Sequence, residues 1–349
     1  MINFLMKTQK DELTTATRPG GLKTFALAVF STCLSVAIFE VFLRLVDYNY
    51  TPLRIHVINS YSEWRYYHSF QDEHFVYDPY LMWRPKKGAF VFNSQGYRGK
   101  EISVDKKPGE FRIFAVGDSN TLGWYGGDGP NWPAYLQEFL ATRDHRLTVV
   151  NAGVYGYSSF QGLRRFKEAL PFQPDMVLIS FGCNDAMRVA ESDIDFDSRK
   201  IRKLRLDTFL HKFKVGQLLL AFSDKAFSWQ KPRLVPRVDL NEYKNSLTEI
   251  IKLSKERKIK AVLLTRPFIG PSPNESWWKN FAPAYNAATR EVAKENGVPV
   301  IDVYSSFADE KRYFADESHF NEQGYRLMAR IIYDRIMPLI DRPSAESGS

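Results

Sequence analysis

Short apolar runs alternate with amphipathic stretches over most of the chain from Phe111 onward. The apolar runs are Ile113–Val116, Thr148–Asn151, Met176–Phe181, Ala261–Thr265 and Val298–Val303. The stretches with helical periodicity are Trp132–Thr142, Phe160–Leu170, Leu240–Arg257, Ala282–Asn296 and Glu322–Ile340. Strands separated by helices pair in parallel through crossovers. The pattern therefore predicts an α/β domain whose five-stranded parallel sheet is covered by helices on both faces.

The N-terminal part contains a second strong signal. The run Phe25–Leu43 has 19 residues with one charge, Glu40, which is long enough to cross the hydrocarbon core of a bilayer (roughly 30 Å) as a helix. Four basic residues precede it: Lys7, Lys10, Arg18 and Lys23. This excess predicts a single-pass signal anchor with a cytoplasmic N-terminus and an extracytoplasmic remainder, periplasmic or at the cell surface. A signal peptide cleaved near Ala37 and a buried core helix are the alternatives.

These patterns divide the chain into consecutive segments. We predict a cytoplasmic tail (1–21), a transmembrane helix (22–44), an aromatic-rich accessory segment of short strands and turns (45–108), the α/β domain (109–341) and a polar tail (342–349). The two cysteines, Cys33 and Cys183, are far apart in sequence and are not expected to form a disulfide. No Cys/His spacing typical of zinc is present, and we predict neither a metal nor a cofactor.

An insertion at 186–239 interrupts the α/β pattern. The apolar residues Leu206, Phe209, Leu210 and Phe213 have helical spacing and predict an amphipathic helix. Between residues 199 and 237 there are eleven Lys/Arg and two Asp, which accounts for the whole net charge of +8. Such a segment could be a lid, or it could bind anionic lipid headgroups or acidic glycans. A plain packing helix with a solvated basic face is the alternative.

Four short motifs follow predicted strands or precede the last helix. They are GDSN at 117–120, NAGVYGYSS at 151–159, GCND at 182–185 and DESH at 316–319. The carboxyl ends of parallel strands meet at one edge of a sheet, so these motifs are expected to lie together. In this order they resemble the marks of the SGNH hydrolases, the GDSL esterase/lipase family. The resemblance covers residues 111–340 and implies a three-layer α/β/α fold with a flavodoxin-like sheet.

The resemblance also implies roles for individual residues. Ser119 would be the nucleophile, His319 the base that takes its proton, and Asp316 the carboxylate that orients the imidazole. The oxyanion of the intermediate would be bound by the Ser119 backbone N–H, a glycine N–H and the side-chain amide of Asn184.

Two glycines are candidates for the second oxyanion donor, Gly153 and Gly156. The family pattern N-A-x-x-x-G-x-[ST] selects Gly156 and leaves Gly153 to backbone geometry. Three polar residues are expected to support the site: Asp118, Asn120 and Asp185. The serine lies in GDSN and not in G-x-S-x-G, which argues against the nucleophile elbow of the α/β-hydrolases.

We therefore expect a membrane-anchored extracytoplasmic serine esterase that acts on an acylated small molecule or glycan. An O-acetyltransferase that modifies cell-surface polysaccharide, supplied by a membrane O-acyltransferase partner, would use the same residues and remains open. A third possibility, of another class, is a non-catalytic glycan-binding or assembly protein. Nucleic acid is not an expected partner, because the chain carries no recognition motif and is predicted to be exported.

Overall fold

The structure is a computed structural model. It describes residues 21–50, 74–78, 80–123, 129, 131–189, 192–194, 206, 209–227, 235–269, 282–307 and 310–340. The expectations for the cytoplasmic tail, for the polar tail and for most of the basic residues of the insertion lie outside these residues.

A parallel sheet of five strands forms the centre of the fold. Its strands are β3 (Phe111–Gly117), β4 (Leu147–Asn151), β5 (Met176–Ser180), β8 (Lys260–Leu264) and β9 (Val300–Ile301), in the spatial order β4-β3-β5-β8-β9. All pairings are parallel, with Ala115 of β3 opposite Asn151 on one side and Leu178 on the other. The strand that comes first in sequence lies second in the sheet, which is the flavodoxin-like order. The predicted fold class is confirmed.

Helices cover both faces of this sheet. One face is covered by α4 (Ser159–Ala169), α6 (Leu240–Glu256) and α7 (Ala282–Asn296), and the other by α3 (Trp132–Ala141) and α9 (Glu322–Ile340). Alternate side chains of β3 enter the two layers, Phe114 and Val116 on one face, Ile113 and Ala115 on the other. The short helices α2 (Ser119–Leu122) and α8 (Val303–Ser306) and the 3-10 turns Leu170–Phe172 and Lys311–Tyr313 complete the domain.

A two-stranded antiparallel hairpin precedes the sheet in sequence. It consists of β1 (Phe75–Asp78) and β2 (Met82–Pro85). The indole N–H of Trp83 donates to the carbonyl of Tyr155 at 3.0 Å, and the hydroxyl of Tyr157 donates to the carbonyl of Trp83 at 2.6 Å. The accessory segment therefore supports the loop that follows β4.

The N-terminal helix α1 (Gly21–Leu45) is the long apolar helix that the sequence predicts. Its part Lys23–Leu45 is long and apolar enough to cross a membrane. Of its most apolar stretch of 18 residues, only 6% is buried within the described part of the chain. This exposure argues against the buried-core alternative. Both cysteines are free, and Cys33 lies exposed on this helix while Cys183 is buried.

The chain forms two compact units. The small unit comprises the described residues of Met1–Pro52 and Leu206–Trp229, and the large unit comprises those of Leu53–Arg205 and Gln230–Ser349. Part of the insertion thus belongs with the N-terminal helix and not with the α/β domain. In the large unit, β6 (Arg188–Val189) pairs antiparallel with β7 (Val235–Pro236) and closes the insertion at its base.

The helix of the insertion differs from the prediction in its bounds. The periodicity predicted one helix through Leu206–Phe213, whereas the principal helix is α5 (Lys214–Phe227), after a break at residues 212–213. At this break the chain packs tightly. A Cβ on Gly216 would lie 1.9 Å from the carbonyl oxygen of Leu210, so only glycine fits there. The helical spacing of the apolar residues continues through this break, so the sequence pattern does not reveal it.

Close packing of α4 on the sheet depends on Gly162. A Cβ at this position would lie 2.2 Å from the ring of Phe181, a buried residue just past β5. We expect Gly162→Ala to lower the free energy of unfolding by about 1–3 kcal/mol, because overpacking outweighs the better helix propensity of alanine. Denaturant unfolding of the full chain would measure this. Lys167→Ala, at an exposed position of the same helix, is the control, and a stabilised Gly162→Ala variant would contradict the packing argument.

Candidate active site

The predicted site residues gather at the carboxyl edge of the sheet. Ser119 lies two residues past the end of β3 and is the first residue of α2, and Asn184 lies four residues past the end of β5. His319 precedes α9, and Gly156 lies in the loop after β4. From β3 the chain continues first to β4 on one side of that strand and then to β5 on its other side. Open α/β sheets bind ligands next to such a change in strand order.

Ser119, His319 and Asp316 form one hydrogen-bonded chain. The Oγ of Ser119 lies 2.7 Å from Nε2 of His319. The Nδ1 of the same ring lies 2.8 Å from Oδ2 of Asp316 and 3.0 Å from Oδ1. A carboxylate can only accept, so Nδ1 carries the proton, and Nε2 is left to accept from the serine hydroxyl. The serine and the histidine are both buried.

A tight turn positions the carboxylate beside the ring. The backbone N–H groups of Ser318 and His319 both donate to Oδ1 of Asp316 at 2.8 Å. Burial opposes the ionisation of this carboxyl, but the hydrogen bond and charge of His319 and the two backbone donors outweigh it. The pKa of Asp316 therefore lies below its usual value, and the group remains charged at neutral pH.

The two candidate glycines are in different surroundings. Gly156 has a positive φ of 69° and lines the cavity at the site. The N–H of Gly153 donates to Oδ1 of Asn151 at 3.0 Å, and a Cβ on Gly153 would lie 2.4 Å from the backbone nitrogen of Leu122. Gly153 thus allows the β4 loop to approach α2 closely, while Gly156 is adjacent to the cavity.

The third motif supplies an amide and a loop-fixing carboxylate. Asn184 lines the cavity and donates one N–H to the carbonyl of Tyr157 at 2.9 Å, so the amide has a second N–H for a ligand. Asp185 accepts from the backbone N–H and the hydroxyl of Ser159 and from the backbone N–H of Gly182. Burial raises the pKa of Asp185 to about 6, against the lowering effect of the Ser159 hydrogen bonds.

These residues surround one cavity of about 240 Å³. Six of its lining residues are Ser119, Gly156, Asn184, Arg266, Asp316 and His319. The buried thiol of Cys183 also borders it, and burial raises the pKa of that thiol to about 12, so it is protonated at neutral pH. The cavity therefore presents the Ser119 hydroxyl, which is hydrogen-bonded to the imidazole nitrogen that can take its proton.

Asp118 supports the serine through a buried ion pair that the sequence did not predict. Its Oδ1 accepts from the N–H of Asn120 at 2.8 Å, and its Oδ2 lies 2.9 Å from Nε of Arg266. Arg266 also donates from Nη1 to the carbonyl of Ser318 at 2.8 Å. Burial would lower the pKa of Arg266, but the Asp118 carboxylate more than compensates and raises it. One guanidinium thus joins the serine loop to the histidine loop.

A second arginine holds the glycine loop. Arg237, at the base of the insertion, donates from Nη1 to the carbonyl of Gly156. Its Nε lies 2.8 Å from Oδ1 of Asp193, whose other oxygen accepts from the hydroxyl of Ser158 at 2.5 Å. The peptide that contains the candidate oxyanion glycine is therefore fixed by a buried ion pair.

Neither arginine belongs to a motif that sequence reasoning identified. Arg266 lies two residues past the end of β8. A charged residue just past a buried parallel strand indicates a position at the carboxyl edge of the sheet, where ligands bind. Arg237 was counted within the basic segment and interpreted as part of a surface patch. Asn120 is buried, and in the described part of the chain its side-chain amide has no hydrogen-bond partner, so its visible contribution is the N–H given to Asp118.

The sequence of this chain is similar to a family model and to two known proteins. Residues 115–327 match the model of the GDSL-like Lipase/Acylhydrolase family. An arylesterase of Vibrio mimicus is 32% identical over 78 residues, which is 22% of this chain and 39% of that protein. The uncharacterized lipoprotein YqeF of Bacillus subtilis is 23% identical over 220 residues, 56% of this chain and 72% of that protein. The chain thus spans well under half of the arylesterase it matches.

Two solved structures are similar to part of this chain. The lipase/acylhydrolase from Enterococcus faecalis has a TM-score of 0.46 and 22% identity, covering 67% of this chain and all of that one (100%). The acetylxylan esterase Axe2 from Geobacillus stearothermophilus has a TM-score of 0.45 and 20% identity, covering 66% of this chain and 94% of that one.

The buried pair of Asp118 and Arg266 leads to a stability prediction. Arg266→Met leaves a buried carboxylate without its partner, so we expect the free energy of unfolding to fall by about 3–5 kcal/mol. Adding Asp118→Asn should recover part of this loss, since the uncompensated charge is then removed. Denaturant unfolding would measure all variants. Arg330→Met, which breaks an exposed pair with Asp334, is the control and should change little. Equal stability of Arg266→Met and Arg330→Met would contradict the argument.

Proposed function

Because the chain belongs to the GDSL-like lipase/acylhydrolase family, we propose that it is a serine esterase that cleaves ester-linked acyl groups through an acyl-enzyme on Ser119. The observation that carries the proposal is the hydrogen-bonded chain from Ser119 through His319 to Asp316, at the border of one cavity. A serine hydroxyl alone is a poor nucleophile, and this arrangement supplies the base that it needs.

Acylation follows from the proton positions. Oγ of Ser119 attacks the ester carbonyl carbon while Nε2 of His319 takes the hydroxyl proton. The imidazolium that forms is stabilised by Asp316, which stays ionised. The tetrahedral intermediate then collapses: the C–O bond to the alcohol breaks, and Nε2 returns the proton to the departing oxygen. Water, deprotonated by the same nitrogen, then attacks the acyl carbon. The bond from this carbon to Oγ of Ser119 breaks, Nε2 returns the proton to Oγ, and the acid is released.

The negative charge on the carbonyl oxygen requires fixed donors. The candidates are the backbone N–H of Ser119 at the start of α2, the N–H of Gly156 and the second N–H of Asn184. The Arg237 contact to the Gly156 carbonyl and the Asn184 contact to Tyr157 restrict both donors before substrate binds. Such preorganisation is worth about 10²–10³ in rate for each donor.

The cavity and the N-terminal helix limit the substrate and its location. A space of about 240 Å³ that also holds the reacting carbonyl suits a short acyl group such as acetyl. The apolar helix α1 and the basic residues before it support a membrane-anchored, extracytoplasmic enzyme, and the similarity to a lipoprotein agrees with that location.

The first test compares the full chain with Ser119→Ala in hydrolysis of p-nitrophenyl acetate, with and without an added oligosaccharide acceptor. We expect the substitution to remove nearly all turnover, by up to about 10⁶-fold as in a well-studied serine protease. Ser306→Ala, an exposed serine on α8, is the control and should retain full activity. Hydrolysis that survives in Ser119→Ala would contradict the proposal. If acetyl is transferred to the sugar and hydrolysis decreases, the acetyltransferase function would be favoured over the esterase function.

Acyl length provides a second test with the wild-type chain. We expect kcat/KM for p-nitrophenyl octanoate to fall below that for the acetate ester by about 10–10²-fold, because the longer chain extends beyond the cavity that the described residues line. Met187→Ala removes side-chain volume from the cavity lining and should narrow this difference by improving the longer ester. A preference of the wild type for octanoate would exclude the short-acyl assignment while leaving the serine mechanism intact.

A further inference from the structure

Helix α5 packs on the N-terminal helix α1 in the small unit. Among the described residues of this unit, the side chains of Leu43 of α1 and of Gln217 and Leu220 of α5 are buried. The side chain of Gln217 accepts from the backbone N–H of Tyr50 at 3.0 Å. The insertion therefore meets the chain near the C-terminal end of the proposed anchor.

A carboxylate within the apolar helix holds the start of α5. Oε2 of Glu40 accepts from the N–H of Val215 at 2.8 Å, and Oε1 accepts from Nε of Arg44 at 2.8 Å. The first N–H groups of a helix have no partner inside the helix, and a negative charge near them is favourable. A charged side chain is costly in lipid, so these two contacts account for the one charge in the apolar run.

The position of Glu40 fixes the level at which α5 begins. It lies five residues before the last residue of α1, Leu45, or about 8 Å along the helix axis at 1.5 Å per residue. When α1 spans a bilayer, this level is the outer part of the hydrocarbon core, next to the headgroups. The 14 residues of α5 extend only about 21 Å, too short to cross the membrane.

Several exposed side chains among the described residues of this segment are large and apolar. On α5, Leu219 and Phe222 are 57% and 65% exposed and lie three residues apart on one side of the helix. In the preceding turn, Phe209 and Phe213 are also exposed, with their ring centroids 5.4 Å apart. Large exposed apolar groups concentrated on one segment mark an interaction surface.

We propose that the described residues of Leu206–Trp229 are a second membrane-contacting element, in which α5 lies at the outer surface of the bilayer beside the anchor. Leu219 and Phe222 enter the upper acyl region, and basic residues of the segment, such as Lys212, face anionic phospholipid headgroups. The inference rests on the proposed anchoring of α1. Lipid is favoured over another protein because the apolar surface continues from a helix that is itself surrounded by lipid.

The experiment measures lipid contact at single positions in the full chain. A background with Cys33→Ser and Cys183→Ser removes the two native thiols. Single cysteines at Leu219 or Phe222 are labelled with the fluorophore NBD, in vesicles of phosphatidylcholine and phosphatidylglycerol that contain doxyl-labelled lipid. Both positions are exposed, so the label does not disturb internal packing.

Two reference positions calibrate the readout. A label at Phe30, 64% exposed on α1, reports the anchor, and a label at Lys252, whose side chain is 65% exposed on α6, reports water. We expect the labels at Leu219 and Phe222 to be quenched by doxyl lipid several-fold more than the label at Lys252, with blue-shifted emission. Omitting phosphatidylglycerol should weaken this quenching at Leu219 and Phe222 more than at Phe30.

Three results would overturn the proposal, and they differ in what else they affect. In the first, doxyl lipid quenches the label at Phe30, but aqueous iodide reaches the labels at Leu219 and Phe222. This result would support the anchoring of α1 and would show that α5 does not contact the membrane. Absence of lipid quenching at Phe30 would contradict the proposed membrane anchoring of α1, on which the inference rests. Labels at Leu219 and Phe222 that are shielded from both iodide and lipid would assign the surface to a protein, either a second copy or a partner. In none of these cases is the serine mechanism affected.

Discussion

The ion pair between Asp118 and Arg266 connects loops from three parts of the chain. Asp118 precedes the serine, Arg266 follows β8, and the guanidinium also binds the carbonyl of Ser318 beside the histidine. Serine and histidine are 200 residues apart in sequence, yet their reacting atoms must stay within hydrogen-bond distance. A direct charge-assisted contact between the two loops restricts their relative movement more than a neutral turn would. The geometry of the proposed nucleophile and base thus depends on a buried ion pair that takes no part in the proposed proton transfer.

The glycine loop is fixed by the same principle with different residues. Arg237 binds the carbonyl of Gly156 and the carboxylate of Asp193, and the hairpin β1–β2 contacts Tyr155 and Tyr157 from another direction. Buried polar groups of this kind stabilise only when their partners are all present, so they also specify one arrangement of the loop. The base of the insertion and the accessory segment are therefore structural parts of the site.

Sequence reasoning recovered the elements that follow from local periodicity. The five strands and the helices Leu240–Glu256, Ala282–Asn296 and Glu322–Ile340 lie within a residue or two of their predicted ends, because burial on one or both faces leaves a clear pattern. The juxtaposition of Ser119, His319 and Asn184 followed from the rule that parallel strands end at one edge. The catalytic roles of these residues stay predictions.

What local pattern could not supply was pairing across the fold. Arg266 and Arg237 look like ordinary charged residues until their partners, Asp118 and Asp193, are adjacent in space. The break before α5 was missed for a similar reason, since the approach of Gly216 to Leu210 involves the backbone and leaves the apolar spacing unchanged. The docking of Val215 on Glu40 joins positions 175 residues apart.

The course of the chain between the two units has a consequence for proteolysis. The chain passes from one unit to the other three times, near residues 52, 205 and 229. A single cut after the N-terminal helix would leave the large unit covalently joined to α5, which remains held to that helix through Glu40, Leu43 and Tyr50. If α1 is held in a membrane as proposed, release of the large unit would require the cut chain to separate two packed helices as well. The proposed anchor would thus retain the large unit after a cleavage that releases a protein tethered by a simple stalk.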